Sequence, residues 1–177
     1  SRRSLYLGDL YCKCIENRAT YDMFKYTDIM LRQIGVPDDL KERIFSYNLP
    51  EIFFIDIENQ QQEGKPNPEK PDKPITVIGV CCPNDTVMVL SGGYNLTQKE
   101  QESIQKRIDE HFEQVHRHFK FVFRYFETEY DLLYFFLSVF VPKMALISGW
   151  NVEDYDWMYM YNRAKLLGID PSLASPS

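Results

Sequence analysis

The chain has 177 residues, 44% of them hydrophobic, enough to bury one substantial core with an appendage. Its 20 basic and 26 acidic side chains give a net charge of −6 and a pI of about 5.1. That balance excludes a domain living on non-specific duplex binding, yet leaves room for an acidic metal site that takes a few nucleotides of single strand.

Residues 1–50 are expected to form a small, mainly helical N-terminal segment. Thr20 can cap a helix with Met23, Tyr26, Met30 and Ile34 at helical spacing, and Gly35 stops it. Pro37 opens a short second helix and Pro50 marks a border. Of the four cysteines, Cys12 and Cys14 lie here and Cys81 and Cys82 further on. Spacings of one and zero residues do not match zinc knuckles, so free thiols in a reducing cytosol are expected.

From Glu51 the pattern changes to strands. Ile52–Ile57 is a nearly unbroken apolar run, which predicts a central strand covered on both faces. Residues 59–74 read as a polar loop, with Lys65, Lys70 and Lys73 expected in solvent. Ile75–Val80 and Thr86–Leu90 then predict a hairpin around Pro83-Asn84-Asp85. Thr97 with Glu100 makes a capping box for a long surface helix with Ile104, Ile108, Phe112, Val115 and Phe119 on one stripe. Its His111, His116 and His118 are expected to be solvated rather than metal-bound. A short strand at Phe121–Tyr125, a helix capped by Thr128 and ended at Pro142, and a strand at Met144–Ser148 follow. Glu153–Leu167 is expected as a last helix, ended by Gly168 and Pro171. No apolar run is long enough to span a bilayer, and the expected location is the cytoplasm. The order strand–strand–strand–helix–strand–helix suggests an α/β fold with a ribonuclease H-like core, a mixed sheet flanked by helices.

Three carboxylates carry the chemistry. Residues two apart on a strand face the same side, so Asp56 and Glu58 point together while Ile55 and Ile57 pack inward. Two carboxylates on one face repel unless a cation sits between them. Asp156 falls in the first turn of the last helix, directly after a strand that can run beside the first, and so can close the same site. Hard oxygen donors suit two Mg²⁺ or Mn²⁺ ions, about 3.5–4 Å apart, for phosphodiester hydrolysis. Against this stands the ordinary reading of each part: acidic pairs at strand ends are common, and an acid in a first helical turn complements the helix dipole.

Phe54-Ile55-Asp56-Ile57-Glu58 resembles the first exonuclease motif of family B DNA polymerases, an Asp-x-Glu ending the central strand. Ile147-Ser148-Gly149-Trp150-Asn151, continuing to Tyr155-Asp156, Tyr159 and Asn162-Arg163, resembles the second, Gly-(Tyr/Trp)-Asn-x-x-x-(Phe/Tyr)-Asp. Phe126-Glu127-Thr128-Glu129 with Leu132-Leu133 looks like the acidic start of the helix between them. The Trp150 version and the helical insert are most similar to polymerases of tailed phages and related viruses.

The resemblance covers residues 51–170 and implies a 3′→5′ proofreading exonuclease. Asp56, Glu58 and Asp156 would be the catalytic acids and metal ligands. Asn151, Tyr155 and Tyr159 would contact the frayed strand, with the core an equal home for Tyr155 and Tyr159. Arg163 is expected in a structural ion pair. The implied partners are the single-stranded primer 3′ end, the remainder of the polymerase and replisome proteins, in the host cytoplasm if the source is viral.

The family's third motif, Tyr-x-x-x-Asp, does not follow the second: only Asp170 does, with Leu166 four residues before it. Residues 51–177 are therefore expected to be a partial exonuclease domain holding motifs I and II, inactive or weak alone. The alternative is a catalytically incomplete ribonuclease H-like module that binds single-stranded DNA or replisome partners.

Overall fold

The computed structural model describes residues 51–60, 66–115 and 117–175. The expected helical segment 1–50, Lys65 and His116 lie outside them. Five strands, β1 (Ile52–Asn59), β2 (Ile75–Cys81), β3 (Thr86–Gly92), β4 (Lys120–Phe126) and β5 (Leu146–Ser148), form one mixed sheet in the order β4-β3-β2-β1-β5. β1, β2 and β3 are an antiparallel meander, while β4 runs parallel to β3 and β5 parallel to β1. The hairpin turn is made by Asp85 in the left-handed region at φ 58°.

Side-chain alternation along the strands builds a core on each face. Phe54, Cys81, Val87 and Val89 pack against α1 (Gln98–Phe112) through Ile104, Ile108 and Phe112. Ile55, Ile57, Ile78, Val80 and Leu90 pack on the opposite face against α2 (Glu129–Phe135) and α3 (Met158–Leu166). The continuous apolar run of β1 is explained by these two layers. The Thr97–Glu100 capping box forms as expected. Gln105 stitches α1 to the sheet, donating to Phe119 O at 2.8 Å and accepting from Phe121 N–H at 2.7 Å.

Three helices depart from expectation. α1 ends at Phe112 and passes into a 3₁₀ turn, Glu113–Val115, so His118 and Phe119 lie beyond the helix rather than in its last turns. The one capped by Thr128 passes into a π-helical segment, Phe136–Phe140, and a 3₁₀ turn, Val141–Lys143. The last begins as a π-helical turn, Val152–Trp157, before becoming α3. No helix among the described residues is long and apolar enough to cross a membrane. His118 is exposed and pairs with Asp109 at 3.0 Å, and no group of metal-ligating residues involves the described histidines.

Residues 66–74 are tied to α3 at Pro68, Pro71 and Lys73, while Lys70 is exposed as expected. The expectation for Lys73 is corrected: it is only 4% exposed. Tyr159 donates to Lys73 O at 2.8 Å and accepts from Lys73 N–H at 3.1 Å. Asn162 donates to Pro68 O and Arg163 to Pro71 O. Arg163 also forms the expected ion pair, a two-pronged contact with Glu129 at 2.8 Å in each prong. The Glu129 carboxylate in turn accepts from Ile75 N–H, the first residue of β2, at 2.7 Å. One buried pair thus ties α2, α3, β2 and the loop together.

Removing one member of such a pair leaves a buried charge alone. Arg163→Met is expected to cost about 3 kcal/mol of unfolding free energy, readable in urea titrations. At Cys82, burial pushes the thiol pKa up to about 11. Because the thiolate is the reactive form, iodoacetamide at pH 8 should leave Cys82 unmodified until the chain is unfolded, as peptide mapping would show.

Candidate active site

The site is built where β5 ends beside β1. The two strands pair only as far as Phe54↔Ser148, so the next backbone groups along that side of β1 need other partners. Gly149 takes the first position. A Cβ built on it would stand 2.5 Å from Ile55 O, so no other residue fits without moving the chain. Asn151 then turns in the left-handed region, φ 57°, which Asn tolerates better than most side chains. The π-helical turn that follows brings Asp156 back to the strand. Its Oδ1 accepts from Ile57 N–H at 3.0 Å, the bond a longer β5 would have made. π turns recur at functional sites because they shift side chains off the ordinary helical positions.

Ile57 lies between Asp56 and Glu58, so Asp156 docks on the backbone that joins the two acids. Asp56 and Glu58 share the face of β1 that also carries Phe54, with Gly79 and Val77 opposite them on β2. Both are half-buried, whereas Asp156 is 3% exposed. Tyr155 is held alongside by Asn59, whose Nδ2 donates to the phenol oxygen at 3.0 Å. Burial pushes the Tyr155 hydroxyl pKa up, reinforced by Tyr159, Asp156 and Glu58 and opposed by the Asn59 bond. Tyr155 therefore stands within electrostatic reach of two of the three acids.

A model of the DNA polymerase family B exonuclease domain matches residues 16–175. The chain belongs to that family. Exonuclease domains of family B polymerases act on DNA with divalent metal ions as part of a larger polymerase, and the mixed sheet flanked by helices is their ribonuclease H-like architecture. No curated protein matches the chain.

The exonuclease site expected from the sequence comes together in part. The donors are right in kind for a hard divalent cation, being carboxylate oxygens. Two share a face and the third reaches the peptide between them. Among the described residues, however, no three His, Cys, Asp or Glu side chains are grouped closely enough to hold an ion. The donor set fits in chemistry and neighbourhood without forming a closed cage.

Of the candidate strand-binding residues, Asn151 is exposed and lines an open cleft of about 580 Å³ with Ser148, Gly149, Glu153, Asp154 and Trp157. Trp150 beside it is 84% exposed. Tyr155 is half-buried near the acids. Tyr159 is fully buried with its hydroxyl committed to Lys73, so the substrate-facing expectation for it gives way to the core alternative. Sequence reasoning missed Asn59, whose partner lies 96 residues away. Its only signal is a polar residue closing an acidic strand.

Gly149→Ala should push the turn off β1. It is expected to lower unfolding free energy by about 1–3 kcal/mol, measured by denaturant titration.

Proposed function

We propose that this domain is the 3′→5′ proofreading exonuclease of a family B DNA polymerase, with Asp56, Glu58 and Asp156 as its catalytic acids. The observation that carries the reading is the Asp156–Ile57 bond, which sets the acid of the second motif on the strand of the first, within a chain of this family. The substrate is a single-stranded primer 3′ end. Asn151 at the cleft and Tyr155 near the acids are the residues to hold it, and exposed Trp150 offers a face on which an unstacked base rests. The remainder of the polymerase and replisome proteins are its partners. The Trp150 form of the second motif supports a tailed-phage or viral polymerase acting in the host cytoplasm.

Asp56, Glu58 and Asp156 would hold Mg²⁺ or Mn²⁺, two ions in this reading. When bound, such ions supply an activated water and charge stabilisation at the leaving 3′-oxygen. The chain's own residues perform the rest. Asp56 and Glu58 present their charge together, and the Ile57 N–H fixes the Asp156 carboxylate by one oxygen. Tyr155, next to Asp156 in the turn, is held to β1 by Asn59.

The test is hydrolysis of a 3′-labelled single-stranded oligonucleotide with Mn²⁺, by this chain and by a polymerase that contains it. Asp56→Ala with Glu58→Ala should lower the rate by at least about 10³-fold, several kcal/mol of transition-state stabilisation. An unchanged rate in that double variant would sink the assignment. Calorimetry with Mn²⁺ separates the alternative: retained oligonucleotide binding without metal binding or hydrolysis would make this a ribonuclease H-like binding module.

A further inference from the structure

We propose that Asn59 is a positioning residue for the acid site, acting through Tyr155 to hold the turn that carries Asp156 against β1. This rests on the nuclease reading above, in which Asp156 is a catalytic acid. Hydrogen bonds from two residues of the strand reach the π-helical turn Val152–Trp157. Ile57 N–H reaches Asp156 Oδ1 and Asn59 Nδ2 reaches the Tyr155 hydroxyl, each at 3.0 Å. The strand residues are two apart and the turn residues adjacent. One bond alone fixes the turn at a point and leaves it able to swing. Two bonds along the strand also fix its direction.

Local geometry favours this pairing. The β1–β2 register shifts between Glu58 and Asn59, so that Glu58 pairs Val77 but Asn59 pairs Ile75. Such irregularities re-aim side chains and are over-represented next to active sites. Across that shift Thr76 donates its hydroxyl to Glu58 O at 3.1 Å, pinning the acid's backbone while Asn59 turns to Tyr155. Asn59 Oδ1 is buried and makes no hydrogen bond among the described residues. An orphaned buried oxygen costs stability, and an apolar residue in its place would avoid that cost. The amide is thus better explained by what its Nδ2 holds than by packing.

On the turn, the Tyr155 hydroxyl accepts from the Asn59 amide, one residue before Asp156. The Tyr155 ring is 5.8 Å from that of Tyr159, which is locked to the backbone of Lys73. The phenol is therefore held at its tip by β1 and along its ring by the anchored start of α3. Loss of either the amide or the hydroxyl frees the same joint, so the two groups should act as one unit.

The test uses the full chain and reads the joint directly, as amide hydrogen exchange at Ile57 followed by NMR. Asn59→Ala and Tyr155→Phe should each speed Ile57 exchange by about five- to tenfold, the size of one lost hydrogen bond. The double variant should be no faster than either single one. Val89, in the centre of the sheet, serves as the reference whose exchange stays unchanged, which separates loosening of the joint from global destabilisation. Tyr155→Phe removes a single oxygen and keeps the measurement available if Asn59→Ala folds poorly. Unchanged Ile57 exchange in both variants, or additive effects in the double, overturns the proposal.

In a polymerase that contains the chain, acting on single-stranded DNA with Mn²⁺, Asn59→Ala should lower kcat about tenfold by misplacing an acid, with a rise in KM no larger than that of Tyr155→Phe. Asp56→Ala distinguishes the two ideas. If Asp56→Ala in that polymerase cuts DNA as fast as the unaltered enzyme, the nuclease reading fails while the exchange result still decides the joint. If Asp56→Ala is inactive and Asn59→Ala keeps both full rate and normal Ile57 exchange, the positioning role fails alone.

Discussion

The early end of β5 is the constraint around which this domain is arranged. A buried strand edge cannot leave its N–H and C=O groups unpaired. β5 accompanies β1 only to Phe54, so the Ile57 N–H must find a partner elsewhere. The Asp156 carboxylate supplies it, and a bond required for folding therefore places an acid beside Asp56 and Glu58. The same constraint selects Gly149, the one residue able to lie against Ile55 O, and the left-handed Asn151 that turns the chain. Fold and site share these residues, and neither can be altered without the other.

A second joint keeps the first in place. The turn carrying Asp156 runs directly into α3, so the position of α3 sets how the acid meets β1. α3 is held by Tyr159 on Lys73 and by the Arg163–Glu129 pair, which also reaches Ile75 N–H and Pro71 O. The two side chains of that pair are only 13% and 14% exposed. A pair this sheltered gains little net free energy over an apolar pair, because both charges lose water. Its value lies in direction. A guanidinium fork and a carboxylate meet in one geometry, whereas leucines would slide. The polar loop 66–74 is thereby made into a fixed strap across the base of α3.

Much of this was legible in the sequence, and the limits were physical. The unbroken apolar run of β1 announced a two-layer core, and the Thr97 capping box is a short-range code that needs no tertiary information. Asp56 and Glu58 were readable as one face because strand alternation is strict. What could not be read was whatever depends on a partner distant in sequence. Lys73 has a solvated composition around it, yet it is buried where Tyr159, Asn162 and Arg163 hold the loop to α3. Tyr159 belongs to a motif that suggests substrate contact, yet its hydroxyl is committed to that loop. The π-helical turn at Val152–Trp157 has the side chains of an ordinary helix. Its widened form arises as the chain leaves Gly149 and Asn151 and docks on β1.

The placement of the acids also explains why the sheet tolerates them. Like charges on one strand face cost most when neighbouring strands add bulk that excludes water. Opposite Asp56 the adjacent strand presents Gly79, which brings no side chain against it. Opposite Glu58 stands half-buried Val77. The apolar contacts of β1 on that face are concentrated at Phe54, in the core beneath α1, so the strand changes character along its length. Its first half pairs with β5, whereas its second half, still packed through Ile57, is met on that side by side chains, with bonds from Ile57 N–H to Asp156 and from Asn59 to Tyr155, and from Thr76 to Glu58 O across β2. Hydrogen bonds set direction more sharply than apolar contacts do. That division suits a strand whose start must be stable and whose end must aim charged groups.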